Sequence, residues 1–578
     1  MTFEKLALVW QQLEQTNSRL EITQILADLL KKASEEDVGN VCYLSLGNLA
    51  SEYQEIDFNL AEKMMMKVIA QASGQPVEIV RKKFKQVGDL GEVAESFAKQ
   101  TNRFDLFKKS ELTVNQVHDR LLDVATQEGE GSVERKVGKM VALLEDLSSP
   151  QAVRYAVRIP IGKLRLGFSS LTILDALSWM LTGDKSKREE IEAAYNVKAD
   201  VGEIAKLAKR GGLKTIQKAR MSLGVPIKPA LCQRIDTAKE IVEKMGQVAV
   251  EPKYDGQRLQ IHWGLEGKDK VRIFTRNLEG VTSMFPDLVQ ALGKELKAKK
   301  AILDGEVIGY DRKKGKYLPF QETIKRKRKY GITQAIKDIP LQLVCFDLLY
   351  LNGKDLIQTD FDKRRKELEK ILPKENKTIV VSPQILTDEP GKLISYHYQQ
   401  INQGLEGIVV KKWRAPYDPG KRNFTWVKLK QEKGKKGGGL ADTLDCLIMG
   451  YYRGKGRRAG FGIGGFLAGV RVKDKYLTLS KIGTGLTDKQ WRELKKRADQ
   501  QKTTKKPKQY QVSKDLAPDV WCQPAIMAEI EADNITKSPL HSAKLALRFP
   551  RLKSFRDDKN PNQTTTIEEV KKLYELQK

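Results

Sequence analysis

Cysteine is scarce in this chain of 578 residues: five, at positions 42, 232, 345, 446 and 522. None pair as Cys-x-x-Cys and each has a largely apolar neighbourhood, which excludes zinc-ribbon spacing and a disulfide scaffold. Reduced, mostly core thiols in a reducing compartment are expected. Histidine is scarcer still, and His118, His262, His397 and His541 are too scattered for an imidazole metal cluster. No apolar run approaches the roughly 20 residues of a membrane span. Glu4 interrupts the N-terminus, against a signal peptide. A soluble, cytoplasmic protein with no membrane partner is therefore predicted. There is no Gly-x-x-x-x-Gly-Lys-Ser/Thr, so any nucleoside triphosphate must bind without a P-loop. Acid is short relative to base: 74 acidic against 103 basic residues give a net charge of +29. That balance favours a polyanionic partner by steering and counterion release. The basic residues cluster at 325–329, 433–436, 453–458 and 502–508, a pattern that suits a phosphate backbone better than scattered solvated charge.

The length suggests about three or four domains, and the pattern divides the chain into three stretches. Residues 1–223 read as helical: Phe3, Leu6, Trp10 and Leu13, then Ile22, Leu26, Leu29 and Leu30, fall at helical spacing, and 133–147 and 171–181 continue it. Within this stretch, Ile161-Gly162-Lys163-Leu164-Arg165-Leu166-Gly167 is a basic segment bracketed by glycines, which let backbone N–H groups approach phosphates. An ordinary turn between helices is the bland alternative. Residues 224–439 turn to strands and mixed segments. Residues 440–578 show short strands with glycine turns at 444–451, 466–472 and 476–482, then a helix beginning near Thr487. This suits a small β-barrel of the oligonucleotide-binding type. Gly460-Phe461-Gly462-Ile463-Gly464-Gly465 matches a dinucleotide fingerprint in form only, because it precedes a strand and not a helix. Thr566 and Glu569 form a capping-box pattern for a last helix whose face would carry Ile567, Val570, Leu573 and Leu576.

Chemistry concentrates in the middle stretch. Glu251-Pro252-Lys253-Tyr254-Asp255-Gly256-Gln257-Arg258 lies between strand-like segments, so Lys253 sits on a loop; an amine there is a nucleophile only when deprotonated. Arg276 follows the strand-like 271–274 and could be an ordinary hairpin arginine. In Ile302-Leu303-Asp304-Gly305-Glu306-Val307-Ile308 two carboxylates at i and i+2 share one face of a strand. Apolar flanks argue that they are compensated by a metal or a hydroxyl partner. Phe346 lies in a mostly apolar strand, 343–350. Glu406 precedes a short buried strand that ends in Lys411. In Trp426-Val427-Lys428-Leu429-Lys430 two like charges share a face, which is unfavourable unless an anion lies between them. Arg422 is a further cation just upstream.

In this order, the lysine loop, arginine hairpin, carboxylate strand, aromatic strand, Glu-Gly strand and Lys-x-Lys strand resemble the covalent nucleotidyltransferases. Along essentially the whole chain they are most similar to ATP-dependent DNA ligases of the replicative type. The resemblance implies a multidomain α+β protein: a helical DNA-binding domain (1–223), an α/β adenylation domain (224–439) and a C-terminal OB-fold barrel (440–578). It implies that Lys253 carries AMP as a phosphoramidate. Nucleotide binding falls to Glu251, Arg258, Arg276, Glu306, Phe346 (stacked on adenine), Lys411, Arg422, Lys428 and Lys430. Glu306 and Glu406 would hold Mg²⁺, with Mn²⁺ as a substitute. Leu547-Arg548-Phe549-Pro550-Arg551-Leu552 and Arg556-Asp557-Asp558-Lys559 resemble the last family motif, giving Arg548 and Arg551 to pyrophosphate, though the two halves are separated here. Lys163, Arg165 and Phe320, the last beside the nick, would contact nicked duplex DNA. A monomer is expected, and Gln100 to Phe107 loosely resembles a sliding-clamp contact. A GTP-using capping enzyme is disfavoured by the long helical stretch, as is an RNA ligase. An NAD-dependent ligase is disfavoured by the missing zinc cysteines, and a scaffold without chemistry by the presence of Lys253, Glu306 and Lys428.

Overall fold

The computed structural model describes residues 1–16, 18–100, 111–267, 269–328, 331–430, 442–454 and 456–576. The 100–107 segment, the 433–436 basic run and the 439/440 boundary fall wholly or largely outside these. The chain forms two compact units: Met1–Gln233 with Val242–Asp388 and Val410–Val427, and Arg234–Ile241 with Glu389–Val409 and Lys428–Lys578. Among the described residues no helix is long and apolar enough to cross a membrane.

The helical part of the first unit begins with Phe3–Gln15, Arg19–Lys32 and Glu35–Ser45, each started by a Thr or Ser whose hydroxyl accepts a first-turn N–H: Thr2, Ser18 and Ser34. The helices expected over 133–147 and 171–181 are Ser132–Asp146 and Ser170–Thr182. Their apolar stripes merge into one core from Phe3 to Ile216. Trp10 is fully buried with its edges against Phe3 and Tyr155, and its indole N–H donates to Ser45 Oγ at 2.9 Å. Arg158 is buried too, and tolerated because Asp89 (2.9 Å) and Glu14 (2.8 Å) neutralise it.

Among the described residues twelve strands follow: β1 (Leu231–Arg234), β2 (Val248–Pro252), β3 (Gln257–Trp263), β4 (Val271–Thr275), β5 (Ala301–Asp311), β6 (Lys316–Tyr317), β7 (Leu341–Leu351), β8 (Lys354–Asp355), β9 (Ile379–Val381), β10 (Ile385–Thr387), β11 (Gly407–Lys412) and β12 (Arg422–Lys430). One sheet runs β4-β3-β5-β7-β8, and another runs β1-β12-β11-β2-β10. β5 and β7 are buried along most of their length, so they read as near-continuous apolar runs and not as clean alternation. Their pairing shifts register at Asp304/Gly305, beside the carboxylates. The lysine loop is the short link between β2 and β3.

His262 on β3 clasps the segment leading into this region. Its Nδ1 accepts from Gly224 N–H at 3.0 Å, so Nε2 carries the proton and donates to Gln260 Oε1 at 2.9 Å. Gln260 in turn grips both backbone groups of Ile227.

The second unit holds β13 (Leu444–Tyr452), β14 (Gly465–Val472), β15 (Lys475–Ile482), β16 (Lys502–Thr503), β17 (Tyr510–Gln511), β18 (Val520–Cys522), β19 (Met527–Glu531), β20 (Asn534–Lys537), β21 (Leu545–Arg548) and β22 (Arg551–Phe555). The main sheet runs β16-β18-β13-β14-β15-β17, with β19 joining β13 to β22. Three register shifts bend it, at Ile448/Gly450, Ala468/Gly469 and Glu529/Ile530. The helix expected near Thr487 is Asp488–Gln500, closed by a Thr487–Gln490 capping box. Thr566 and Glu569 exchange the expected cap bonds at the start of Ile567–Leu576. The expected apolar face of that helix holds for Ile567 and Val570, which are buried, and for Leu573, which packs half-buried against the same core, but Leu576 is exposed.

Burial holds the His262 pKa down at about 3, with Arg272 adding to the effect. The folded value lies below the unfolded one, so the unfolded chain takes up a proton that the folded chain refuses. Stability is complete above the unfolded value of about 6.5 and falls by about 1.4 kcal/mol per pH unit as pH drops towards 3. Urea unfolding at pH 7.5 and pH 5 should show this loss in the wild type. In His262→Asn the slope should be smaller by one proton; an unchanged slope contradicts the assignment.

Candidate nucleotide site

The lysine loop is tight because Gly256 lies against β5. A Cβ at Gly256 would come within 2.3 Å of the Val307 carbonyl oxygen and 3.0 Å of Glu306 Cγ. Only glycine lets the loop pack so closely, and this places the half-buried Lys253 within the field of Glu306. Burial pushes the Glu306 carboxyl up to about 7; Lys253 and Arg258 oppose the rise, while Asp304 and Asp255 add to it. Near neutrality this carboxyl therefore changes charge easily, and a cation beside it favours the ionised form.

Arg258 lies opposite Glu306 in the β3–β5 register. Its guanidinium forks onto Asp304, Nε to Oδ1 at 2.9 Å and Nη2 to Oδ2 at 2.6 Å, while Nη1 donates to the Ala230 carbonyl at 2.7 Å. Tyr417 Oη donates to Asp304 Oδ2 at 2.8 Å. The Arg258 cation also faces the Phe346 and Trp426 rings, each at 5.4 Å. All three nitrogens thus donate to protein oxygens, and Arg258 acts as a brace between β3, β5 and the aromatic wall. Asp304, 1 % exposed, is consumed by the same brace.

Lys411 and Glu251 form a second buried pair, 3.0 Å apart and at most 2 % exposed. The Lys411 ammonium also donates to the Phe346 carbonyl and lies 4.8, 4.5 and 4.4 Å from the rings of Phe346, Phe361 and Trp426. Burial drives the lysine pKa down, against the pull of Glu251. Arg365 reaches Glu251 at 3.5 Å, and Arg364 is fully buried against Asp347 at 2.7 Å. Phe346 is half-buried, with an edge contact to Trp426 at 5.8 Å. Lys253, Glu251, Arg258, Glu306, Phe346 and Lys411 therefore come together in the first unit.

The remaining residues are placed as follows. Arg276 is exposed in the turn after β4, and Arg422 is exposed at the start of β12. Phe320 is half-buried and opens the short helix Phe320–Thr323. Lys163 and Arg165 alternate with the buried Leu164 and Leu166; Lys163 pairs with Glu62, and Arg165, at φ 63°, pairs with Asp89 at 2.8 Å. In the second unit Glu406 precedes β11 and lies 3.1 Å from Lys430 and 3.9 Å from Arg548. Lys428 and Lys430 are both half-buried on β12, and Arg551 pairs with Asp533 at 3.0 Å. Sequence reading missed Tyr417, Asp347, Arg364 and Arg365. The signal available for Asp347 was a lone carboxylate inside an otherwise apolar strand; Tyr417, in a Pro-rich loop, gave none.

Among the described residues no group of three or more His, Cys, Asp or Glu side chains could cage a metal. The oxygen donors suit Mg²⁺ in the way it commonly binds, through one or two carboxylates with water and substrate phosphates completing the shell. A near-neutral Glu306 next to a lysine amine, walled by Arg258, Lys411 and Phe346, is a layout that can carry covalent nucleotidyl transfer.

Comparison with known proteins identifies the family. The family model "ATP dependent DNA ligase domain" matches residues 229–430, "DNA ligase N terminus" matches 2–178 and "ATP dependent DNA ligase C terminal region" matches 459–559. A probable DNA ligase of Dictyoglomus turgidum is 41% identical over 588 aligned residues, covering 100% of this chain and 98% of the relative. A DNA ligase of Sulfolobus acidocaldarius is 35% identical over 600, with the same coverage. A solved structure titled Pmar-Lig_PreS3 shares the fold with a TM-score of 0.53 at 18% identity, over 95% of this chain and 99% of that one. The chain belongs to the ATP-dependent DNA ligase family.

Removing one partner of the brace leaves the other charge buried. Asp304→Ala should destabilise the chain by about 3–5 kcal/mol in chemical denaturation. Arg258→Met combined with Asp304→Ala should recover much of that loss. Two additive single losses would show that the groups do not act as a pair.

Proposed function

We propose that this ligase seals nicks in duplex DNA through three phosphoryl transfers centred on Lys253. The neutral Lys253 amine attacks the ATP α-phosphorus; a P–N bond forms, the bond to pyrophosphate breaks, and the amine gives up a proton. A 5′-phosphate oxygen at the nick then attacks the same phosphorus, forming a DNA adenylate and returning the lysine. Finally the 3′-hydroxyl oxygen attacks the 5′-phosphorus, the strand is joined and AMP leaves. The observation that carries this reading is the glycine-tightened loop that sets Lys253 beside Glu306.

Phe346 offers the adenine its face, and Arg258 keeps that face and Asp304 in place. Glu251 holds Lys411 against the same wall. Arg276, Arg422, Lys428 and Lys430 supply cations for the sugar and phosphates, and Arg548 and Arg551 orient pyrophosphate. Glu306, and separately Glu406, are the carboxylates that would hold Mg²⁺, or Mn²⁺ in its place, and the ion would supply charge stabilisation for the non-bridging oxygens. Residues 1–223 form the DNA-binding domain, 224–439 the adenylation domain and 440–578 the OB-fold domain. Lys163 and Arg165 exchange their carboxylate partners for the duplex backbone, independently of sequence, and Phe320 packs beside the nick. The protein works as a cytoplasmic monomer; a sliding-clamp contact through 100–107 lies outside the described residues.

The test is incubation with α-labelled ATP and Mg²⁺ followed by a chase of nicked duplex. Wild type should acquire an acid-labile label that nicked DNA discharges as it is sealed, and Lys253→Ala should acquire none. Label from GTP alone, or label that nicked DNA leaves in place, contradicts the proposal.

A further inference from the structure

The turn that carries Arg276 is built into the helical part of the first unit. It is closed on itself: Thr275 N–H donates to the Glu279 carbonyl at 2.9 Å, Leu278 N–H to the Thr275 carbonyl at 2.8 Å, and Thr275 Oγ1 accepts from the Asn277 and Glu279 N–H groups. A turn bonded this way moves as one piece, so whatever holds one of its residues holds Arg276.

Leu278 is that residue. It is 5 % exposed and packs into the helical core; among the described residues it is the only member of that core from beyond Ile216. It adopts φ 69°, a left-handed conformation that costs a leucine energy and that asparagine or glycine would adopt readily. The seat around it includes Tyr43, Leu46, Tyr53, Tyr195 and Val201. The seat is itself rigid: Tyr43 and Tyr53 both donate to Asp200, at 2.5 and 2.8 Å, and Asp200 also caps the helix Val201–Ile216. Two further contacts flank the plug. Tyr53 meets Phe274 of β4 edge-to-face at 6.1 Å, and a Cβ on Gly280 would come within 1.9 Å of Glu55 Oε1. Glu55, like Leu278, has positive φ, at 55°.

A strained apolar side chain inserted into another layer's core, two residues from an exposed arginine, has a clear mechanical consequence. We propose that Leu278 is a positioning residue: seated in the helical core, it fixes the place of Arg276 and so couples the helical domain to nucleotide binding. The inference rests on the reading of Arg276 as a nucleotide ligand. A helical domain that shifts on the duplex thereby moves Arg276 with it, and nucleotide affinity responds to the state of the helical layer without any contact between that layer and the nucleotide.

The test follows the single-turnover rate of self-adenylation in the full chain against ATP concentration, taking the half-saturating concentration as KM and the plateau rate as kcat, with thermal unfolding measured alongside. Leu278→Ala should raise KM by about tenfold with kcat at saturating ATP within about twofold of wild type, the pattern of lost binding and not lost chemistry. Leu278→Gly removes the plug while relieving the strained backbone, so its unfolding midpoint should fall less than that of Leu278→Ala while KM rises as much. Leu278→Met, which refills the seat, should restore KM. Arg276→Ala serves as the reference, and adding it to Leu278→Ala should raise KM no further. If Arg276→Ala raises KM but neither Leu278→Ala nor Leu278→Gly does, the positioning role is overturned and the reading of Arg276 stands. If Arg276→Ala leaves KM unchanged, both fall.

Discussion

Charges taken out of water must be paired, and the adenylation region is organised by that requirement. Arg258 and Lys411 on the sheets, and Arg364 on the helix Phe361–Ile371 packed against them, are cations held out of water, and each survives there because a carboxylate meets it: Asp304, Glu251 and Asp347. Desolvating an ion is costly enough that any one of these groups alone would force rearrangement. Paired, they fix the spacing of β2, β3, β5, β7 and β11. The aromatic wall of Phe346, Phe361, Trp426 and Tyr417 then closes around the cations, at distances where ring faces favour positive charge. The proposed nucleophile, Lys253, needs little beyond this: a glycine that lets its loop press on β5, and a carboxyl whose ionisation is balanced near neutrality.

The same logic shapes the helical part. Its core is ordinary apolar packing, yet charged groups buried in it are tied off, as with Arg158 between Asp89 and Glu14 and with Asp200 between two tyrosines. Rigid polar anchors of this kind make a firm seat, and the turn after β4 uses one. The His262 clasp adds a second tie, through which the Gly224–Ile227 segment is held to β3 by hydrogen bonds that only the neutral imidazole can make. The sheets around Lys253 and the helical layer thus share a framework of buried contacts.

Much of this was legible in the residues. The strands on either side of Lys253 were readable because β-branched and aromatic residues alternate there, and helices such as Phe3–Gln15 because their apolar positions repeat with helical period. Asp304 and Glu306 at i and i+2 do share a face, which is why Arg258, opposite Glu306, reaches Asp304. What stayed hidden was long-range partnership. Periodicity shows which face is buried but not that Tyr417 will meet Asp304 from 113 positions away, or that Lys163 and Arg165 will lean on Glu62 and Asp89. Leu278 was hidden for the same reason: one leucine in a polar turn has no period, and its significance lies in the pocket that receives it.

The proposed ligation turns on one covalent bond at one nitrogen. The most direct measurement is the intact mass of the purified chain after incubation with ATP and Mg²⁺, with the modified residue located by fragmentation. The expected result is a gain of a single adenylate, on Lys253, that disappears on adding nicked duplex. An adenylate located on any other residue, or a chain that seals nicks while never gaining one, contradicts it.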